Sequence, residues 1–264
     1  MNMRRIWTVA SIVWMEMLRK KDIYVLLILL GAMLVGIVSL DIFGLGGVAG
    51  YVKDTGLLLA WLFSWIMIAS ISTHELPQEE ARGTIFSLLA KPVRRIELLI
   101  GKWLGCWSVA AAATLTFYAL VAAVVILKGG RFSYVVLLQS YILHVAALAV
   151  IAGVGMAMST RMNYDAACAM TYVATGAAYL ILPRVSEFLT AATGPRGVAM
   201  VVLYYLAPHF ELFDMRRRFV HDYGVLHWGV FAAILAYGLL YTGLLLMISW
   251  LSYRRKRFVR GSLG

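Results

Sequence analysis

Residues 75–102, ELPQEEARGTIFSLLAKPVRRIELLIGK, form the one long polar interruption in the first half of an otherwise very apolar chain. The charges are ordered: Glu75, Glu79 and Glu80 lead, Arg82, Lys91, Arg94 and Arg95 follow, and Glu97 and Lys102 close the stretch. Proline removes a backbone donor and disfavours helix in the residue before it. Pro92 therefore divides the stretch into two predicted helices, roughly 78–90 and 94–102, joined by a kink at Lys91-Pro92. On the first, Ile85, Leu88 and Leu89 fall at helical spacing beside Phe86 and make one apolar face. A short amphipathic helix with no core of its own needs a partner surface for that face.

On both sides of this stretch the chain reads as membrane. Of its 264 residues 62% are hydrophobic and only 14% charged, with a mean hydropathy of +0.83, whereas soluble domains carry about a quarter charged residues. Six apolar runs, near 23–40, 56–74, 103–127, 135–158, 166–183 and 227–250, are each long enough to cross a hydrocarbon core of about 30 Å. The fold class predicted is thus all-α and polytopic, a single transmembrane domain over 1–264. Ahead of the first run, residues 4–20 place Ile6, Trp7, Ala10, Val13, Trp14, Met17 and Leu18 on one side of a helix. Such a helix lies in the membrane interface as an elbow leading into the first span. No cleavable signal precedes that span. None of the five prolines falls inside a predicted span, and Pro183 closes the fifth.

Lys and Arg set the orientation. With the N-terminus inside, inner segments hold five (1–22), five (75–102), one (159–165) and five (251–264). Outer segments hold one (41–55), two (128–134) and five (184–226). The excess places both termini in the cytoplasm and residues 75–102 on the cytoplasmic side of a cell membrane, between spans two and three. The net charge of +11 sits at the ends of apolar runs, so it points to anionic headgroups and not to nucleic acid. Residues 184–226, broken at Pro208-His209, read as an extracytoplasmic or re-entrant segment.

Chemistry-bearing patterns are few. His74, His144, His209, His221 and His227 stand at no metal-ligand spacing, and Cys106 and Cys168 imply neither a disulfide nor a metal. There is no GxxxxGK[ST] phosphate loop, so the chain itself binds no ATP by that mechanism. No acidic residue falls at mid-membrane, which argues against an ion-coupled transporter. Gln139 and His144, in the outer half of the fourth run, could face a translocation path or bond a neighbouring helix. Gly101-x-x-x-Gly105 and Gly155-x-x-x-Ser159 allow close helix approach, within the subunit or against a second copy. Tryptophans 103, 107, 228 and 250, near run ends, read as interface anchors. A lipid-modifying membrane enzyme would need a polar cluster at the interface, and only Arg161, Asn163 and Asp165 offer one. An anchoring subunit that transports nothing is a third reading.

The order Glu79-x-x-Arg82-Gly83-Thr84-Ile85, Leu88-Leu89, Lys91-Pro92-Val93-x-Arg95-x-Glu97 and Gly101-Lys102 resembles the signature of type-2 ABC transporter permeases. It is most similar to the branch associated with maturation of copper enzymes such as nitrous oxide reductase. Pro208-x-Phe210-Glu211-Leu212-Phe213-Asp214 also looks like a feature of that branch. The resemblance implies a permease subunit whose 75–102 segment is a coupling helix docked on a separate ATPase, which holds ATP and Mg. It further implies a second permease copy and export. Glu79, Arg82, Gly83, Thr84, Ile85, Leu88, Leu89, Pro92 and Arg95 are the implied coupling residues.

Overall fold

Lipid offers no partner to a backbone N–H or C=O, so long apolar runs must satisfy their own hydrogen bonds as helix. The computed structural model describes residues 3–39, 48–81, 94–189, 201 and 204–255. The helices are α1 (Met3–Arg19), α2 (Asp22–Ser39), α3 (Val48–Ala81), α4 (Arg95–Leu127) and α5 (Tyr134–Ser159). After them come α6 (Tyr164–Leu180), α7 (Leu182–Leu189), α8 (Arg216–Val220) and α9 (Trp228–Arg255), with a 3-10 turn at Phe210–Phe213. No strand occurs among the described residues.

Among the described residues four helices are long and apolar enough to cross a membrane: α3 over Ala49–Gln78, α4, α5, and α9 over Trp228–Arg254. The pair α1 and Tyr24–Ser39, bent by 55°, makes a fifth if taken as one span. The chain is therefore an all-helical multi-pass membrane protein. The predicted runs 23–40 and 166–183 coincide with α2 and with the 17-residue α6.

Several expectations are corrected. Residues 94–102 are not a separate short helix but the N-cap and first turns of α4. Likewise α3 starts at Val48, inside the predicted outer segment, and continues through Pro77 to Ala81. A proline inside a helix removes one hydrogen bond and crowds the preceding turn. Glu75 and Leu76, in the turn before it, are both buried. Pro183 does not close α6, which stops at Leu180; it stands in the first turn of α7, where its missing N–H would have had no helical partner.

Helices α3, α4 and α5 make the centre, with α1 against α4, α9 mainly against α5, and α6 against α3 and α5. On α1 the buried stripe is Ile6, Ala10, Val13 and Met17. Trp7 and Leu18, predicted on the same face, are 70% and 51% exposed. The stripe is this narrow because α1 rides directly on the Gly101-x-x-x-Gly105 groove of α4. A Cβ on Gly101 would lie 2.7 Å from Val9 Cβ, and one on Gly105 would lie 2.7 Å from Val13 Cβ. That small-residue motif thus serves packing within the subunit. Gly155 does the same for α5 against α3, where a Cβ would come to 3.0 Å from Ser72 Cβ.

Polar side chains join the helices. Ser64 and Thr114 meet at 2.8 Å between α3 and α4, and Trp65 Nε1 donates to Thr175 Oγ1 (2.8 Å) between α3 and α6. Trp103 and Trp107, read above as interface anchors, also tie α4 to α5. Their rings stack at 5.6 Å, and their N–H groups donate to the Ala149 and Val145 carbonyls of α5 (3.2 and 2.9 Å). An indole N–H within the bundle takes the nearest carbonyl, here one that faces α4.

Candidate functional site

The polar stretch divides in three in the fold. Residues 75–81 finish α3 and 94–102 begin α4, so these two helix ends frame residues 82–93. Arg82, Gly83, Thr84, Ile85, Leu88, Leu89 and Pro92, and the kink at Lys91-Pro92, lie outside the described residues. Glu79 stands in the last turn of α3.

The two framing ends are tied by a buried ion pair between Glu75 and Lys102. Lys102 is 1% exposed and Glu75 4%. The Lys102 ammonium donates to the Glu75 carbonyl at 2.8 Å and to its Oε2 at 3.1 Å. Glu75 Oε1 has no hydrogen-bond partner among the described residues. Two charges withdrawn from water need each other far more than an exposed pair does.

Neighbouring polar contacts extend the tie to other helices. At the start of α4 the Arg94 N–H donates to Glu97 Oε2 (3.2 Å), a carboxylate in the first turn where the helix dipole favours negative charge. The same oxygen lies 3.8 Å from Arg5 Nη1 on α1. Arg95 donates to the carbonyls of Tyr253 and Arg254, both at 3.1 Å, at the C-terminal end of α9. Last-turn carbonyls lack intrahelical donors, and a guanidinium satisfies two of them. Arg95, the predicted coupling residue whose side chain is described, thus reaches another element. The first turns of α4 are thus joined to α1, α3 and α9.

A second polar cluster occupies the opposite end of the bundle. Arg216 donates through Nε to Asp214 Oδ1 (3.0 Å) and through Nη2 to Asp214 Oδ2 (2.7 Å) and the Tyr179 hydroxyl (2.6 Å). The Tyr179 hydroxyl in turn donates to Asp214 Oδ2 (2.7 Å), fastening the 210–220 region to α6. Burial would raise the Asp214 carboxyl, but hydrogen bonds and charge from Arg216, with the Tyr179 hydroxyl, hold it below the usual carboxylate range. Lys53 of α3 meets Asp222 at 3.4 Å. Of the three arginines at 216–218, Arg216 is thus an internal tie. No sequence spacing announced it, because Tyr179 belongs to another element.

Asp214→Asn is expected to cost about 1–3 kcal/mol at neutral pH, as Arg216 loses its charged acceptor. With the folded pKa below the unfolded value near 3.9, this stabilisation is present above about pH 4. It is lost as pH falls through the depressed value. Melting curves of wild type and variant in detergent should separate at neutral pH and converge in acid.

Gln139 and His144 are both buried. Gln139 donates to the Leu226 carbonyl (3.0 Å) and accepts from the Leu226 N–H (2.9 Å), clamping the entry to α9. His144 stacks on Trp61 (4.6 Å between centroids), and its Nδ1 is 3.3 Å from the Tyr118 hydroxyl. Its Nε2 has no partner among the described residues. Trp61 is also a wall of a largely apolar cavity of about 380 Å³, shared with Leu58, Trp65, Thr175, Tyr179 and Arg216. Among the described residues no group of three or more His, Cys, Asp or Glu side chains converges to hold a metal.

The family model described as ABC-2 family transporter protein matches residues 2–255. The chain belongs to that family. Comparison with curated proteins gives no match. Family membership makes this ABC-2 chain the membrane component of a transporter, a permease subunit with no catalysis of its own. ABC-2 permeases generally work with an ABC ATPase subunit.

Proposed function

We propose that the permease couples ATP hydrolysis by a separate ATPase subunit to substrate export, with residues 82–93 as the docking segment. ATP and Mg are held by the ATPase and not by this chain. The observation that carries the reading is the Glu75–Lys102 tie, which makes the framing ends of α3 and α4 one mechanical unit. Nucleotide closes the ATPase, the docked segment follows, and the tied helix ends shift the membrane domain between two conformations. Glu79, Arg82 and the Ile85, Leu88 and Leu89 face are the contacts. The Glu79-to-Lys102 and Pro208-to-Asp214 resemblances support a place in the copper-enzyme maturation branch.

In this reading α2 and α6 also span, giving six spans with both termini cytoplasmic. A second copy covers part of the apolar surface, and lipid covers the rest. His144 and Trp61, beside the apolar cavity, are the described residues best placed along a translocation path.

Proteoliposomes holding permease and ATPase should show vanadate-sensitive ATP hydrolysis, while the permease alone shows none. Hydrolysis by the permease alone, in a preparation proven free of ATPases, would contradict the reading. Topology is checked separately in a background lacking Cys106 and Cys168. Ser87→Cys and Ser262→Cys should stay shielded from impermeant thiol reagents in intact cells, while Ser133→Cys labels. External labelling of Ser262→Cys would mean an odd number of spans.

A further inference from the structure

The elbow turns from α1 into α2 at Arg19, Lys20 and Lys21, three consecutive cations of which Arg19 and Lys21 are exposed. Behind this corner, between α1, α2, α3 and α6, lies a cavity of about 470 Å³. Most of its polar lining gathers at the elbow end, beside Met17 and Ile71, while Tyr172 stands deeper with its hydroxyl donating to the Ile66 carbonyl. Lys20, Ser70 and Tyr164 stand at the elbow end, with the Ser70 and Tyr164 hydroxyls 3.3 Å apart. Lys20 Nζ is 3.5 Å from His74 Nδ1 and 3.4 Å from Glu16 Oε1, both long contacts for an ammonium with three protons. Leu26, Ile66 and Met67 line the deeper part. Ile66 is two turns further from the end of α3 than His74, about 12 Å at helical rise.

We propose that this cavity binds one anionic phospholipid from the leaflet on the α1 side. Its phosphodiester sits among Lys20, Ser70 and Tyr164, and one acyl chain runs along Leu26, Ile66 and Met67. The shape of the lining selects this occupant. A free phosphate would leave the apolar depth unfilled, and a neutral lipid would leave the excess of Arg19, Lys20 and Lys21 over Glu16 and Asp22 uncompensated. The bound lipid wedges the α1–α2 corner against α3, so headgroup charge sets how firmly the elbow is held. The inference rests on the membrane-embedded reading of the chain and not on ATPase docking.

The test uses the full-length permease in neutral detergent, incubated with equimolar phosphatidylglycerol and phosphatidylcholine and weighed by native mass spectrometry. Wild type should retain phosphatidylglycerol about fivefold over phosphatidylcholine, the discrimination expected from one cation at an anionic headgroup. Lys20→Gln, a mild change on a partly exposed helix end, should abolish the preference with the melting temperature unchanged. Leu26→Trp, which fills the chain channel, should reduce retention of both lipids. Arg131→Glu, outside the cavity, should leave the preference intact. Equal retention by wild type, or a preference unaltered in Lys20→Gln, would overturn the proposal. So would displacement of the lipid by millimolar inorganic phosphate, which would mark a phosphate site, or a lipid-free dimer with the cavity occluded by a second copy. ATPase recovery is scored separately in the same preparations, so lost selectivity with docking intact counts against the lipid site alone.

Discussion

Lys102→Met is expected to destabilise the permease by about 3–5 kcal/mol, because it leaves the Glu75 carboxylate buried without its cation. Among the described residues Lys102 is one of the least exposed charged side chains, and its ammonium bonds both the Glu75 carbonyl and the Glu75 carboxylate. Glu75 Oε1 already lacks a partner among the described residues. Removing both charges should be much milder. Glu75→Leu combined with Lys102→Met replaces the pair by apolar groups of similar volume, which in other buried pairs is neutral or stabilising. The double variant should therefore unfold at higher SDS than Lys102→Met alone, with a coupling of the order of 2–3 kcal/mol in the cycle. A Lys102→Met variant within about 0.5 kcal/mol of wild type, the range of an ordinary surface change, would mean that the pair is solvated and that α3 and α4 are not tied. The double variant should also still recover ATPase while transporting poorly, since docking and transmission use different residues.

The helical class and the main apolar runs were legible because hydropathy and length decide them. The buried side of α1 was half legible: period 3.6 placed Ile6, Ala10, Val13 and Met17 together but could not say that Trp7 and Leu18 would be left out. Gly101 and Gly105 announced a close approach without naming α1 as the helix that makes it. What sequence could not show is where a polar residue near a helix end points. Glu75 and Lys102 sit among solvated-looking charges, yet they face each other across the α3–α4 pair. The same limit hid the Asp214–Arg216–Tyr179 cluster, assembled from two elements, and the ties that Trp103 and Trp107 make between α4 and α5. For residues 82–93 the order of charges and the Ile85, Leu88 and Leu89 spacing carry the reading.

The central claim is that this segment docks an ATPase through its apolar face. Leu88→Asp places a carboxylate in that contact, where an unpaired buried charge costs at least several kcal/mol. A loss of about 3 kcal/mol is already more than a hundredfold in affinity. Insertion and melting of the permease alone should be unchanged, because the proposed docking face makes its contacts with the ATPase. Substitutions in Arg254-Arg255-Lys256-Arg257 serve as the comparison: they should weaken lipid association and leave docking intact. The decisive measurement is recovery of co-expressed ATPase on affinity-tagged permease, wild type against Leu88→Asp, at matched membrane levels. The account predicts stoichiometric ATPase with wild type and background with Leu88→Asp, whereas equal recovery from both would contradict the docking role of residues 82–93.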